Sequence, residues 1–194
     1  HWSATAPTYP GYTYTGESSY TVVAGKDGQV YRYYSPAAVP GGGVTCVDIY
    51  YKGGAEQGRY TQPTKVAAVH GQTISGESWG KSPAAGYTGY TFRNATSIVC
   101  NATTTSNIVY RYFDLGQYSV TYHANATTDV SGAVSPNPAR AYVGDSIKLA
   151  AGGFNRVASN GSNLSWRLVG WSKTSGTNNT VDYALGATIN PGLG

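Results

Sequence analysis

The side chains able to do chemistry are few and widely spaced in this 194-residue chain. Its two cysteines, Cys46 and Cys100, allow three readings: a disulfide, two buried thiols, or part of a metal site. A metal site normally takes three or four ligands, and neither a Cys-x-x-Cys pair nor a nearby histidine supplies them. His1, His70 and His123 are far apart, without a carboxylate or second histidine at ligand spacing, and read as surface or strand residues. Gly-x-Ser-x-Gly, the elbow that exposes a nucleophilic serine, does not occur. Gly16-Glu17-Ser18 recurs as Gly76-Glu77-Ser78, which reads as turn sequence rather than a Ser–Glu pair. Asp27, Glu56, Asp129, Asp145 and Asp182 sit singly beside glycine, alanine or small polar residues. Glycoside hydrolysis needs two carboxylates facing one cleft, and a calcium loop needs clustered acids. No catalytic residue, metal site or cofactor is expected from this pattern.

Aromatic residues carry the other recognisable chemistry. Exposed rings stack on the faces of sugars, whereas buried rings fill a thin sheet. Trp171 reads as core, and Trp79, between Ser78 and Gly80-Lys81, reads first as plain packing, with stacking on a glycan as its alternative. Six Asn-x-Ser/Thr signals start at Asn94, Asn101, Asn125, Asn160, Asn163 and Asn178. They are silent without a glycosylating host and mark surface loops with one. The net charge is +4, but no two basic residues are adjacent, so the patch that displaces counterions from nucleic acid is absent from the sequence.

The elements that must position these residues are strands. Charged residues make up 11% and Gly numbers 26 against 18 Tyr, a mixture of turn formers and residues suited to a pleated surface. Aromatic content of 13% argues against disorder. No convincing apolar run has helical spacing, and no membrane span is visible. Val47, Ile49 and Tyr51 alternate with Asp48 and Tyr50 before Gly53-Gly54 turns the chain. Ile108, Tyr110 and Tyr112 alternate with Val109, Arg111 and Phe113, and Tyr118, Val120 and Tyr122 with Ser119, Thr121 and His123. Each such run buries one face and wets the other. Trp166 to Trp171 is a further strand candidate. Gly-x-Ser/Thr-Ile occurs at Gly71, Gly144 and Gly186, each a turn glycine feeding a strand.

An internal repeat organises the front of the chain. Gly11-Tyr12-Thr13 corresponds to Gly86-Tyr87-Thr88, and Val30-Tyr31-Arg32-Tyr33 to Val109-Tyr110-Arg111-Tyr112. The second copy has a long upstream part, 44–83, that the first lacks, so the first reads as the back half of a unit. Ser35 to Gly43, with two prolines and three consecutive glycines, reads as linker or turn.

Two family resemblances follow from these residues. Tyr118–Asn125, Tyr142-Val143-Gly144-Asp145-Ser146, Trp166-Arg167-Leu168-Val169-Gly170-Trp171-Ser172 and Asp182–Ile189 occur in an order that resembles the Listeria–Bacteroides repeat of the internalin B-repeat type. The polar loop Phe154–Asn163 is longer than in that family, and its closing strand is not evident before Gly194. Val44–Tyr51, Gly53-Gly54, Gly71-Gln72-Thr73, Pro83–Thr88 and Val109–Tyr112 resemble a mucin-binding-protein (MucBP-like) repeat. The resemblances imply a mostly β chain of tandem small β-grasp or ubiquitin-like modules: 1–36 a partial MucBP-like module, 37–115 a complete one, and 116–194 a Listeria–Bacteroides-type repeat.

They also imply a setting: an exported bacterial protein of the cell surface or cell wall, without catalysis, acting as adhesion or stalk modules. The partners implied are host or mucin glycans, other surface proteins, or further copies of the chain. A β-grasp module offers little cleft for paired acids. In such an exported β protein, Cys46 and Cys100 are expected to form a disulfide, closing a loop of about 55 residues and contributing roughly 4 kcal/mol. Lys52 and Lys148, on or near strands, are candidates for Lys–Asn isopeptide bonds. The sequence opens on His1-Trp2 and closes on Pro191–Gly194, which reads as a fragment or processed product. An incomplete first repeat and a missing last strand raise one alternative, a fibre or pilus subunit assembled by sharing strands. A carbohydrate-binding module of a larger enzyme is the other.

Overall fold

β-branched and aromatic residues flanked by glycine turns make the described residues mostly β, 42% strand and 4% helical, with no helix of seven residues or more among them. The computed structural model describes residues 5–21, 23–125, 130–157, 165–176 and 180–190. His1, Trp2, Asp129, Asn160, Asn163 and Asn178 lie outside the described residues. Among the described residues no helix is long and apolar enough to cross a membrane. Contacts divide the chain into two units, His1–Asp114 and Leu115–Gly194.

The first unit opens with a hairpin of β1 (Tyr12–Glu17) and β2 (Arg32–Pro36), paired antiparallel with a register shift between Tyr14 and Gly16. A four-stranded sheet follows, built from β3 (Thr45–Lys52), β4 (Ala55–Thr61), β6 (Tyr90–Ala95) and β8 (Ile108–Leu115) in the order β4-β3-β8-β6. β3 and β4 form a hairpin across Gly53-Gly54, whose φ values of 59° and 84° suit the two-residue turn that follows the strand twist. β3 and β8 run parallel through seven register pairs, from Thr45 opposite Ile108 to Tyr51 opposite Asp114. β6 lies on the other side of β8 and runs against it, Thr91 meeting Asp114 and Thr96 meeting Tyr110. A small second ladder pairs β5 (Thr73–Ser75) with β7 (Ser97–Val99).

β3 and β8 are the central strands of the sheet, and each has one face fully buried. Val39, Val44, Cys46, Ala68, Ile74, Cys100 and Val109 form one buried cluster, with Val66, Trp79 and Ile98 packed against it. The faces of β3 and β8 that carry Asp48 and Arg111 are buried, together with Cys46, Tyr50, Val109 and Phe113. Of the alternate set, Ile49 is also buried, while Val47 and Tyr51 on β3 and Ile108, Tyr110 and Tyr112 on β8 are half-buried. Hydrophobicity alone would face the charged set outward; pairing of the two charges with each other reverses that choice.

The second unit is assembled from short pieces. β9 (Gln117–Val120) pairs with β11 (Ala139–Tyr142), and β10 (Val130–Ser131) with β13 (Asn155–Val157), which also pairs with β14 (Ser165–Trp166). β12 (Ile147–Lys148) pairs with β17 (Thr188–Ile189), and β15 (Gly170–Trp171) with β16 (Tyr183–Ala184). The stretch from Trp166 to Trp171 is thus two short strands with a break between them. Tyr122, Val134, Ala139, Ile147 and Leu149 form the core, and Trp171 packs on it. Trp171 Nε1 donates to Ala150 O (2.8 Å), and Ala150 N donates back to the Tyr122 hydroxyl (3.1 Å), so the polar tips of both rings are satisfied where they are buried.

The three Gly-x-Ser/Thr-Ile signals share one form of turn. Gln72 N donates to Val69 O, Asp145 N to Tyr142 O and Ala187 N to Ala184 O, each spanning three residues. The third residue of each turn is a glycine, Gly71, Gly144 or Gly186, at φ of 80°, 86° and 71°. That positive φ is the requirement of a type II turn, and glycine meets it without steric cost.

Candidate functional site

β3, β8, the end of β4 and one 3-10 turn of the first unit converge on one buried ion pair. Asp48, fully buried, sits directly opposite Arg111 in the parallel ladder, and Arg111 is 1% exposed. Arg111 Nε and Nη2 each donate to a different carboxylate oxygen at 2.7 Å, the two-pronged geometry that suits guanidinium and carboxylate. The third nitrogen, Nη1, donates to Trp79 O (2.9 Å) and Gly80 O (2.8 Å). Asp48 also accepts from Gln62 Nε2 (2.7 Å) and the Tyr50 hydroxyl (3.2 Å). The network therefore ties β3, β8, the end of β4 and the 3-10 turn Gly76–Trp79 together. Burial alone would lower the Arg111 pKa; its hydrogen bonds to Asp48 and the carboxylate charge outweigh that, and the net shift is upward.

Beside the ion pair the rings form a stack. Tyr50 lies flat on Tyr87, centroids 3.5 Å apart and planes 5° apart, and on Phe113 at 5.2 Å and 22°. Phe92 meets Phe113 edge-on at 5.7 Å, and the Arg111 guanidinium lies 5.2 Å from the Phe113 ring. Burial pushes the Tyr50 hydroxyl up to about 12, with the neighbouring Asp48 adding to the shift. That hydroxyl also accepts from Ala84 N (2.8 Å). All of these groups are satisfied by one another. Among the described residues no buried side-chain polar atom lacks a partner, and no three His, Cys, Asp or Glu side chains gather.

The expected Cys46–Cys100 disulfide is not formed. Both cysteines are buried, unbonded thiols in the same apolar cluster. Burial pushes the Cys46 thiol up to about 11, with Arg111 opposing and Asp48 assisting, and burial raises Cys100 as well. A protonated sulfur in such surroundings behaves as a small apolar side chain.

Trp79 is half-buried against the first core cluster, and its Nε1 donates to Thr64 O (2.8 Å), so its ring serves packing. The Gly-Glu-Ser pairs are structural. Glu77 N is capped by Ser75 Oγ and Glu77 pairs with Lys81 at 3.2 Å, while Glu17 pairs with Arg32 and Ser18 Oγ accepts from Tyr31 N. His70 Nδ1 accepts from Ala102 N (3.3 Å), and its ring meets Tyr12 edge-on at 5.3 Å. Of the described sequons, Asn94 is exposed on β6, Asn101 holds the turn to Thr103, and Asn125 accepts from Gly176 N (3.0 Å). Lys148 is exposed on β12, and the buried acid of the first unit is matched by an arginine.

The second unit carries an open cavity of about 840 Å³. Tyr122, Phe154, Trp171 and Tyr183 supply aromatic wall, and His123 and Lys173 supply polar groups. Lys173 Nζ lies 5.2 Å from the Tyr183 ring centroid. Size and lining fit a small-molecule or sugar site in general terms.

In the sequence Arg111 lies inside the repeated Val-Tyr-Arg-Tyr and Asp48 inside an alternating strand, and neither stands out locally as a site residue. The usable signal was the repeat itself, an arginine held in a strand between apolar neighbours. No family model, curated protein or solved structure matches the chain.

Proposed function

We propose that this chain is a non-catalytic, load-bearing segment of an exported bacterial surface protein, serving as stalk or spacer modules. The parallel pairing of β3 with β8 carries this reading. Chain enters the sheet at Thr45 and leaves it at Leu115, at opposite ends of the ladder. Tension along the chain therefore pulls the two strands lengthwise past each other and loads all seven register pairs together. The hairpin β1–β2 has the opposite geometry: Tyr12 and Pro36 are register partners, so tension opens it one pair at a time.

Asp48 and Arg111 strengthen the loaded ladder at its middle, since sliding by one residue separates a buried, two-pronged ion pair. Failure under load is set by the rate of unfolding, and contacts that must break early in that event raise its barrier. The strand order supports a β-grasp-type module over about 44–115. Its first and last long strands lie parallel in the middle, flanked by the second strand and by β6. Little helix covers the sheet, in keeping with the MucBP-like reading.

Stretching the whole chain by its ends tests this. The last and strongest rupture should release the span from Val44 to Leu115, about 70 residues or roughly 250 Å of extended chain. A chain that extends smoothly, or ruptures at this span no later than at the hairpin, rejects a load-bearing role.

An adhesive role has one observation of its own, the aromatic-walled cavity of the second unit. Saturable binding of mucin oligosaccharides, lost on Trp171→Ala or Tyr183→Ala, would establish it; no binding across such a panel would remove it.

A further inference from the structure

The β1–β2 hairpin repeats half of the first unit's main sheet. Tyr12–Glu17 matches β6, and Arg32–Pro36 matches β8. The tripeptide aligned with Gly11-Tyr12-Thr13 is therefore Gly89-Tyr90-Thr91, three residues beyond the copy that sequence alone selects, because the second Gly-Tyr-Thr starts the strand. Ring geometry agrees. Tyr14 and Tyr34 meet edge-on at 5.6 Å and 63°, as Phe92 and Phe113 do at 5.7 Å and 74°. Arg32 occupies the place of Arg111 and likewise reaches a backbone carbonyl, donating from Nη1 to Thr5 O (3.0 Å).

The main sheet has one more strand beside this half. β3 runs along the free side of β8 and brings Asp48 to Arg111 and Tyr50 to Phe113. Along β2 no such strand lies among the described residues; its sheet consists of β1 and β2 alone. The consequences appear at each matched position. Arg32 is 15% exposed at the side chain where Arg111 is 1%. Tyr34 is half-buried where Phe113 is fully buried. Tyr9, the match of Tyr87, closes edge-on onto Tyr34 at 4.8 Å, where Tyr87 leaves room for Tyr50 to lie between it and Phe113. A sheet edge presents a row of backbone donors and acceptors ready to pair.

We propose that the free edge of β2 is an acceptor site for a parallel β-strand of the β3 type, an extended segment with a carboxylate opposite Arg32 and an aromatic ring two residues later. The ladder supplies the affinity and the Arg32–carboxylate pair fixes the register, as in strand addition generally. Arg32 keeps Thr5 O as its carbonyl partner and exchanges or shares its exposed pairing with Glu17 for the incoming acid. Tyr9 swings off Tyr34 to admit the new ring.

The probe is a synthetic peptide with the sequence Val44–Lys52, made with Cys46→Ser, added to the intact 194-residue chain. Saturable binding is expected, with hydrogen-exchange protection appearing on Arg32–Pro36 and not on β8. The peptide bearing Asp48→Lys should bind at least tenfold more weakly, and the chain variant Arg32→Glu should restore binding of that peptide. The peptide substitution leaves the chain untouched, so misfolding cannot imitate the result. Absence of saturable binding, equal binding by the lysine peptide, or protection on β8 through exchange with β3 would overturn the proposal. So would self-association of the chain that excess peptide fails to compete, which would give the edge to a second copy. None of these outcomes bears on resistance of the β3–β8 pair to load.

Discussion

Replacing Asp48 by asparagine removes one charge and leaves the shape of the site nearly unchanged. Arg111 would keep its bonds to Trp79 O and Gly80 O but lose one of two 2.7 Å contacts to a charged oxygen and the charge behind the other. Two unit charges about 4 Å apart at an effective dielectric near 20 attract by about 4 kcal/mol. Breaking a buried pair from one side costs about 3–5 kcal/mol, because the remaining charge stays desolvated. Asp48→Asn should therefore destabilise the first unit by about 3–5 kcal/mol, a large share of the 5–15 kcal/mol that holds a typical domain together. The double variant Asp48→Leu/Arg111→Met removes both charges, and should recover at least half of that loss despite leaving the two carbonyls and Gln62 to find new partners. Denaturant unfolding followed by near-ultraviolet circular dichroism, which reports the Tyr50–Tyr87–Phe113 stack, measures both. A loss below about 1 kcal/mol for Asp48→Asn, or a double variant less stable than the single one, would refute the view that charge pairing determines which faces of β3 and β8 are buried.

Further outcomes follow from the same residues. Both cysteines should resist alkylation in the folded chain and react once it is unfolded, with the non-reducing mass equal to that of two thiols; a mass lower by two hydrogens would reinstate the disulfide. Alkali should destabilise the first unit. The folded state holds the Cys46 proton to about 11 and the Tyr50 proton to about 12, against ordinary values of 9.0 and 10.0, so stability complete below pH 9 falls as pH rises through these values. A thermal-melting series across that range checks it, and a flat profile contradicts it. Gly43→Ala should cost at least about 2 kcal/mol, since φ is +117° and the new methyl would stand 2.2 Å from Val66 O. Gly54→Ala, with φ of +84° but open space around it, should cost only about 1 kcal/mol by the same melting assay.

Local pattern identified the strands better than it identified their faces. Alternation along Val47–Tyr51 and Ile108–Tyr112 located β3 and β8, and the three Gly-x-Ser/Thr-Ile signals located three equivalent turns. Which face of β3 is buried depends on Arg111, 63 residues away, and no local pattern carries that information. The same limit hid the site: Asp48 and Arg111 look like ordinary exposed strand charges until the parallel register places them side by side. Trp79 has polar neighbours in Ser78, Gly80 and Lys81, which offered a glycan-stacking reading beside plain packing; its ring packs, with Val66 and Ile98, against the core cluster around Val44 and Val109. In the second unit many strands are only two residues long, too short for alternation to register.

Pulling direction is the most direct test of the proposed role. The first unit would be stretched in two ways within the intact chain: with handles at Thr45 and Leu115, which slide β3 against β8, and with handles at Thr45 and Thr61, which peel β4 from β3 pair by pair. Lengthwise loading should need a several-fold higher rupture force than peeling at the same pulling speed, and Asp48→Asn should lower the first force far more than the second. Equal forces in the two directions would contradict a load-bearing β3–β8 pair.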